Sequence, residues 1–256
     1  MQRPSVPHPE NRNEPMGFLL FNLYLLVICT ICLVLSIVTL VVCYPFDRRR
    51  HAVHELSRLL VRLFFAVPPR WTRRIEGLEK IDRSKSYVIV LNHNSMLDIP
   101  ALYFVPLDFR WVSKREVWKI PFFGQMLYLH GDILIDRRRG AQAMAQLMEE
   151  GGKWLGRGVS VAIFPEGTRS ADGTIRRFKS GAFQLAREAG VELLPVVLDG
   201  TRTIVRPGSF LWNWRNRLTL RILDPVSVEE VRSTDPHELS ERTRERMIAA
   251  LAESKN

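Results

Sequence analysis

Between Met16 and Tyr44 the chain carries no charged residue, and Leu, Val and Ile surround isolated polar breaks at Asn22, Thr30, Ser36 and Thr39. As a helix this run would be about 40 Å long, more than the ~30 Å hydrocarbon core of a bilayer, so it predicts one membrane span with room for tilt. It is too long for a signal-peptide core of about 7 to 15 apolar residues, and no small-residue cleavage site follows it. Residues 1–15 are rich in Pro, Asn and charge, lack apolar periodicity and read as a disordered leader. After the anchor at 16–44, residues 45–70 read as a basic amphipathic juxtamembrane helix. Val53, Leu56, Leu60, Leu63 and Phe64 recur at helical spacing, Glu55, Arg58 and Arg62 share the other face, and Pro68-Pro69 ends it. Such a helix fits equally on a bilayer surface or against a folded core.

From residue 71 to residue 256 the pattern changes to that of one folded domain. Short apolar runs at Tyr87–Val90, Arg110–Ser113, Ile133–Ile135, Val159–Phe164 and Leu193–Leu198 predict strands, and Ala141–Leu155 has the strongest helical pattern between them. Leu218–Leu223 suggests an edge strand and Pro236–Ala252 a charged closing helix. This alternation predicts an α/β fold, with a mostly parallel or mixed central sheet flanked by helices.

Composition narrows the picture. The chain has 256 residues, 46% hydrophobic and 25% charged, which suits one globular core of about 200 residues beside a single anchor. Its 37 Lys and Arg against 27 Asp and Glu give a net charge of +10, attractive to phosphate-rich partners. Between Pro45 and Lys85 stand 11 basic and five acidic residues, so much of the excess directly follows the apolar run, where anionic lipid headgroups would meet it. By the positive-inside bias, the Asp47-Arg48-Arg49-Arg50 cluster places everything after the anchor on the cytoplasmic side of the cell membrane. Nucleic-acid binding would explain the charge but not the apolar anchor. Cys29, Cys32 and Cys43 all lie in the apolar run and read as small helix residues, with no disulfide framework and no metal site.

Two strand-end strings carry candidate chemistry. Asn92-His93-Asn94-Ser95-Met96-Leu97-Asp98 follows the Tyr87 strand. A straight helix would put His93 and Asp98 on different faces, so they can meet only across a turn that leads into a helix. There an imidazole titrating near pH 6.5, steered by a carboxylate on its other nitrogen, would be a general base. Phe164-Pro165-Glu166-Gly167-Thr168-Arg169-Ser170 ends the Val159 strand and offers backbone donors, conformational freedom and a guanidinium for phosphate.

Together the strings resemble the signatures of the PlsC-type glycerolipid acyltransferases, an NHxxxxD block followed by an FPEGTRS block. Gly131-Asp132-Ile133-Leu134-Ile135-Asp136-Arg137 and Leu194-Pro195-Val196-Val197 resemble the intermediate and final blocks, and Phe178-Lys179-Ser180-Gly181 the basic stretch after FPEGTRS. The resemblance covers roughly Trp71 to Thr201 and implies that residues 71–256 form an acyltransferase domain. It implies that His93 deprotonates an acceptor hydroxyl while Asp98 holds the imidazole, that Arg137, Arg169 and Lys179 bind substrate phosphate, and that Glu166, Gly167 and Thr168 shape the acceptor pocket. An acid beside phosphate needs a partner, so Glu166 is expected to orient a cation or a hydroxyl. Ser95 is expected to be structural.

The implied reaction moves a fatty acyl group from acyl-CoA or acyl-carrier protein, as co-substrate and without a cofactor, to a lysophospholipid held in the membrane. 1-acyl-sn-glycerol-3-phosphate is the leading acceptor, and another lysophospholipid or a lyso-aminolipid is the alternative. A hydrolase using water as acceptor and a non-catalytic lipid-binding protein are the rival readings.

Overall fold

The computed structural model describes residues 14–66, 71–204 and 216–253. The proposed leader up to residue 13 and the Pro68-Pro69 stop lie outside them. Helix α1 (Glu14–Cys43) contains the uncharged run, and Asn22–Cys43 is long and apolar enough to cross a membrane. Helix α2 (His51–Ala66) follows after a short turn.

The α/β unit is built on a seven-stranded sheet. In chain order the strands are β1 (Trp71–Glu76), β2 (Tyr87–Leu91), β3 (Phe109–Lys114), β4 (Ile133–Ile135), β5 (Ser160–Ile163), β6 (Glu192–Asp199) and β7 (Asn216–Ile222), and across the sheet they run β1-β7-β6-β2-β5-β3-β4. Every pairing is parallel except that of β6 with β7. β7 is therefore not the edge, because β1 pairs with it from outside.

The central strands are continuous apolar runs because both faces are covered. Tyr87, Ile89 and Leu91 of β2 join Leu194, Val196 and Leu198 of β6 in the core beneath α2. Val88, Val90, Leu193 and Val197 point the other way, with Leu147, Phe183, Leu185 and Met247. Those last residues belong to α5 (Ala141–Gly156), α6 (Gly181–Ala189) and the closing helix Pro236–Glu253. Between β2 and β4 lie a short helix α3 (Asp98–Ala101) and α4 (Phe123–His130), and α4 packs on α1.

Helix α2 packs one face on the core and leaves Leu59 and Leu63 exposed on another. The stripe it buries differs from the expected one: Val53, His54, Ser57 and Phe65 are buried, whereas Leu63 is exposed. The rotation follows from a buried polar clamp. His54 Nδ1 lies 2.9 Å from His130 Nε2, and His54 Nε2 lies 3.0 Å from the Leu107 carbonyl, which also accepts from Arg58 at 2.7 Å. His130 is in turn 2.9 Å from Asp132 Oδ1 and 3.2 Å from the Tyr103 hydroxyl. Arg110, fully buried on β3, pairs with Asp108 at 2.6 Å, donates to the Arg49 carbonyl and stacks 4.9 Å from the Trp154 ring centroid. Arg50 donates to the Tyr128 carbonyl at 2.6 Å. The start of α2 is thus bolted to the α/β unit.

Candidate active site

β2, β5 and β6 are neighbours and parallel, so their carboxyl ends open on one edge of the sheet, the usual place for a site in such folds. As β2 ends, the Asn92 amide replaces the ladder: it donates to the Leu198 carbonyl and accepts from the Leu198 N–H, both at 2.8 Å. The main chain is then free to leave the sheet at His93. Residues 95–97 form a turn and Asp98 opens α3, bringing Asp98 Oδ2 to 2.9 Å from His93 Nδ1.

The carboxylate is fully buried and over-determined. Oδ2 also accepts from the Asn94 and Ser95 N–H groups at 2.6 and 2.7 Å, and Oδ1 accepts from the Thr201 hydroxyl at 2.5 Å. Thr201 is presented at the end of β6 by Gly200, whose φ of +86° and close approach to the Arg217 carbonyl exclude a side chain. Ser95 Oγ accepts from the Leu97 N–H at 3.3 Å and so shapes the turn. The His93 ring stacks on Phe164 at 3.9 Å between centroids, and Phe164 stacks on Trp111 at 4.9 Å. With Nδ1 turned to Asp98, Nε2 is left without a partner among the described residues, and the side chain is 15% exposed.

The Phe164–Ser170 string follows β5 and wraps round this loop. Glu166 is buried, and its carboxylate does not hold a cation or a hydroxyl as expected. Oε1 accepts from the His93 N–H at 2.7 Å and Oε2 from the Arg176 N–H at 3.0 Å. Glu166 braces the His93 loop against the Arg176 segment. Burial raises its pKa, those two hydrogen bonds oppose the rise, and nearby Asp98 adds to it. Ser170 N–H donates to the His93 carbonyl at 2.7 Å, completing the tie.

Gly167 makes the turn at φ +78° and is buried, while Thr168 and Arg169 are exposed beside it. Lys179 is exposed, and its N–H bonds the Pro165 carbonyl at 3.0 Å, which keeps it next to the β5 end. Among the described residues, neither the Arg169 guanidinium nor the Lys179 ammonium has an ion-pair partner. Arg137 begins a single turn after β4, on the same sheet edge, but its side chain lies outside what is described. The loop beyond is stiffened by Asp172, which accepts from the Thr174 N–H and Oγ1 at 3.0 and 2.7 Å and from Ser170 Oγ at 2.8 Å, bonds that depress its pKa. Arg202 grips the Ala171 and Asp172 carbonyls at 2.5 and 3.0 Å.

Thr201, Asn92 and the Phe164 shelf under the imidazole are site residues to which sequence reasoning gave no role. Asn92 and Phe164 stood inside the quoted strings, but Thr201 had no local signal. Among the described residues no three His, Cys, Asp or Glu side chains converge as a metal site. The arrangement provides an imidazole with one free nitrogen, a fixed counter-carboxylate and, on the neighbouring β5 loop, an exposed arginine.

Known proteins share this arrangement of elements. The family model described as Acyltransferase matches residues 72–199. A chloroplast 1-acyl-sn-glycerol-3-phosphate acyltransferase of Arabidopsis thaliana is 32% identical over 211 residues, which cover 80% of this chain and 58% of that protein. The match to the alpha form of the Mus musculus enzyme of the same name is 31% over 223 residues, 86% of this chain and 77% of the relative. The chain thus spans little more than half the length of the Arabidopsis relative and more of the mouse one. The crystal structure of the 1-acyl-sn-glycerophosphate acyltransferase PlsC from Thermotoga maritima superposes with a TM-score of 0.72 at 25% identity, covering 94% of this chain and 97% of that one. With strand-end blocks, fold and relatives in agreement, this chain belongs to the PlsC-type glycerolipid acyltransferase family.

Proposed function

We propose that the protein transfers a fatty acyl group from acyl-CoA or acyl-carrier protein to the free hydroxyl of 1-acyl-sn-glycerol-3-phosphate, yielding phosphatidic acid. The observation that carries this reading is His93, clamped through Nδ1 to a buried Asp98 with Nε2 left open on the strand edge that also bears the exposed Arg169. The printed names of the relatives supply the acceptor.

In the proposed reaction Nε2 takes the proton of the acceptor hydroxyl as its oxygen attacks the thioester carbonyl. A C–O bond forms, the C–S bond breaks, and the thiolate receives the proton from the imidazolium. Asp98 stabilises that cation and fixes the tautomer, a contribution of about 10²–10⁴ in rate for a positioned base. No nucleophile from the chain is needed, because the acceptor brings its own, so Ser95 stays structural. Arg169 and Lys179, joined by Arg137 from β4, hold the acceptor phosphate, with Thr168 and Gly167 on the same loop.

Helix α1 keeps the protein at the membrane, where acceptor and product both reside. The basic cluster after it supports a cytoplasmic setting for the α/β unit, where acidic acyl donors arrive. The test is a panel of lysolipids offered to the full chain in vesicles with acyl-CoA and with acyl-carrier protein. Phosphatidate formation from lysophosphatidate, abolished in His93→Ala, is the expected result. Thioester cleavage without transfer, or lipid binding without turnover, overturns it.

A further inference from the structure

We infer that the face formed by the segment after β3 and by α4 is a second lipid contact, which lies against anionic headgroups beside the α1 anchor. The inference rests on the membrane reading of α1 given above.

Three large apolar side chains stand out of this face. Trp118 is 40% exposed, Ile120 42% and Tyr128 55%. Trp118 and Tyr128 are stacked, with centroids 5.2 Å apart and planes at 17°, so the exposure belongs to an ordered pair rather than to scattered residues. Aromatic rings with a polar handle are what membrane–water interfaces collect.

Position identifies the occupant. Helix α4 packs on α1, whose outer surface is apolar, so lipid that surrounds α1 reaches the neighbouring Trp118–Tyr128 face. Arg50, just beyond α1, places its guanidinium 6.0 Å from the Tyr128 ring centroid while it bonds the Tyr128 carbonyl. The aromatic pair is therefore held to the anchor's exit by the same clamp that fixes α2. An anchor bolted in this way is no free tether, and the α/β unit must meet the bilayer in one posture.

Charge points the same way. Lys114, Arg115 and Lys119 are exposed, and among the described residues none of them has a carboxylate partner, since Glu116 pairs with Arg138. Each such cation near an anionic surface contributes about a fivefold gain in attraction. A docking protein would offer no reason for lone cations to ring an aromatic pair that abuts a membrane helix. The consequence is functional: β3 is parallel to its neighbour β5, so this segment leaves the same sheet edge that carries His93. Seating it in headgroups points that edge at the lipid acceptor.

The test uses the full chain in vesicles whose lipids carry bromine near the glycerol end of the acyl chain. Trp118 is expected to contribute a quenched tryptophan component that Trp118→Phe removes, with folding unchanged by circular dichroism. In hydrogen exchange, residues 115–122 are expected to be more protected in anionic than in zwitterionic vesicles, and Arg115→Ala/Lys119→Ala is expected to erase that difference. An unquenched Trp118, or the same protection in both vesicles, overturns the inference, and so does cross-linking of the face to a second copy with Trp118 unquenched. Failure of the chain to float with vesicles at all would strike the membrane reading of α1 instead.

Discussion

Among the described residues two histidine–aspartate pairs share one separation, 2.9 Å from Nδ1 to the carboxylate in both His93–Asp98 and His130–Asp132. They differ in what surrounds them. The His130 side chain is 3% exposed and its Nε2 is engaged by His54 and Tyr103, whereas His93 is 15% exposed with Nε2 unengaged. The His130 pair closes a seam between α2 and the sheet, and the His93 pair opens on the strand edge from which the Arg169 and Lys179 loops also leave. Hydrogen-bond length does not separate the two pairs; the free nitrogen of His93 does.

The difference can be broken most severely at His93. His93→Ala is expected to lower kcat by about 10²–10⁴ with little change in melting temperature. His130→Ala is expected to do the reverse, costing about 1–3 kcal/mol of stability by stranding its buried partners while kcat per folded molecule survives. Activity assays run beside thermal melts decide this, and equal kinetic losses would erase the distinction.

The next effect is at Arg169, a cation on the exposed pair's strand edge with no ion-pair partner among the described residues. Arg169→Ala is expected to raise KM for a phosphate-bearing acceptor by about 10- to 100-fold, the value of a charged hydrogen bond of about 1.5–3 kcal/mol, with a much smaller change in KM for the thioester. Steady-state kinetics with both substrates varied checks it.

A smaller loss belongs to Thr201. Thr201→Val leaves Asp98 Oδ1 unsatisfied, and a decrease of about tenfold in kcat and in kcat/KM is expected, with KM unchanged. Thr201→Ser should restore both, whereas a purely steric role would be met by Val.

The gentlest probe is pH, and it acts on the sealed pair. Burial, helped by His130, Arg110 and Arg58, pushes His54 well below the usual 6.5. The unfolded chain therefore takes up the proton first, so this contribution to stability is complete above about pH 6.5 and is lost as pH falls from there toward the folded value. The loss is at most about 1.4 kcal/mol per pH unit. Melting curves between about pH 7.5 and 5.5 should fall more steeply for the wild type than for His54→Gln, and parallel curves would refute the assignment.

What could be read from the residues follows from what physics writes locally. β2 and β5 were legible because strands buried on both faces are continuous apolar runs. β1 was not, because Trp71–Glu76 has only Trp71 and Ile75 as apolar residues and merges with the basic stretch before it. The antiparallel place of β7 inside that edge is a matter of pairing that no single segment encodes. The His93 and Arg169 loops were visible as strings of unusual composition. The Thr201 hydroxyl meets Asp98 across 103 positions, and Glu166 binds backbone amides, partners that every residue carries and no sequence marks. Reasoning by charge therefore gave Glu166 a cation where the fold gave it N–H groups.

The most direct test of the central claim is a single-turnover reaction of the full chain in vesicles with labelled acyl-CoA, run with and without lysophosphatidate, for wild type and His93→Ala. Base-assisted direct transfer predicts labelled phosphatidate only when the acceptor is present, no label on the protein at any time, and almost no product from His93→Ala. Label bound covalently to the wild-type chain without acceptor, or phosphatidate made at an undiminished rate by His93→Ala, would contradict it.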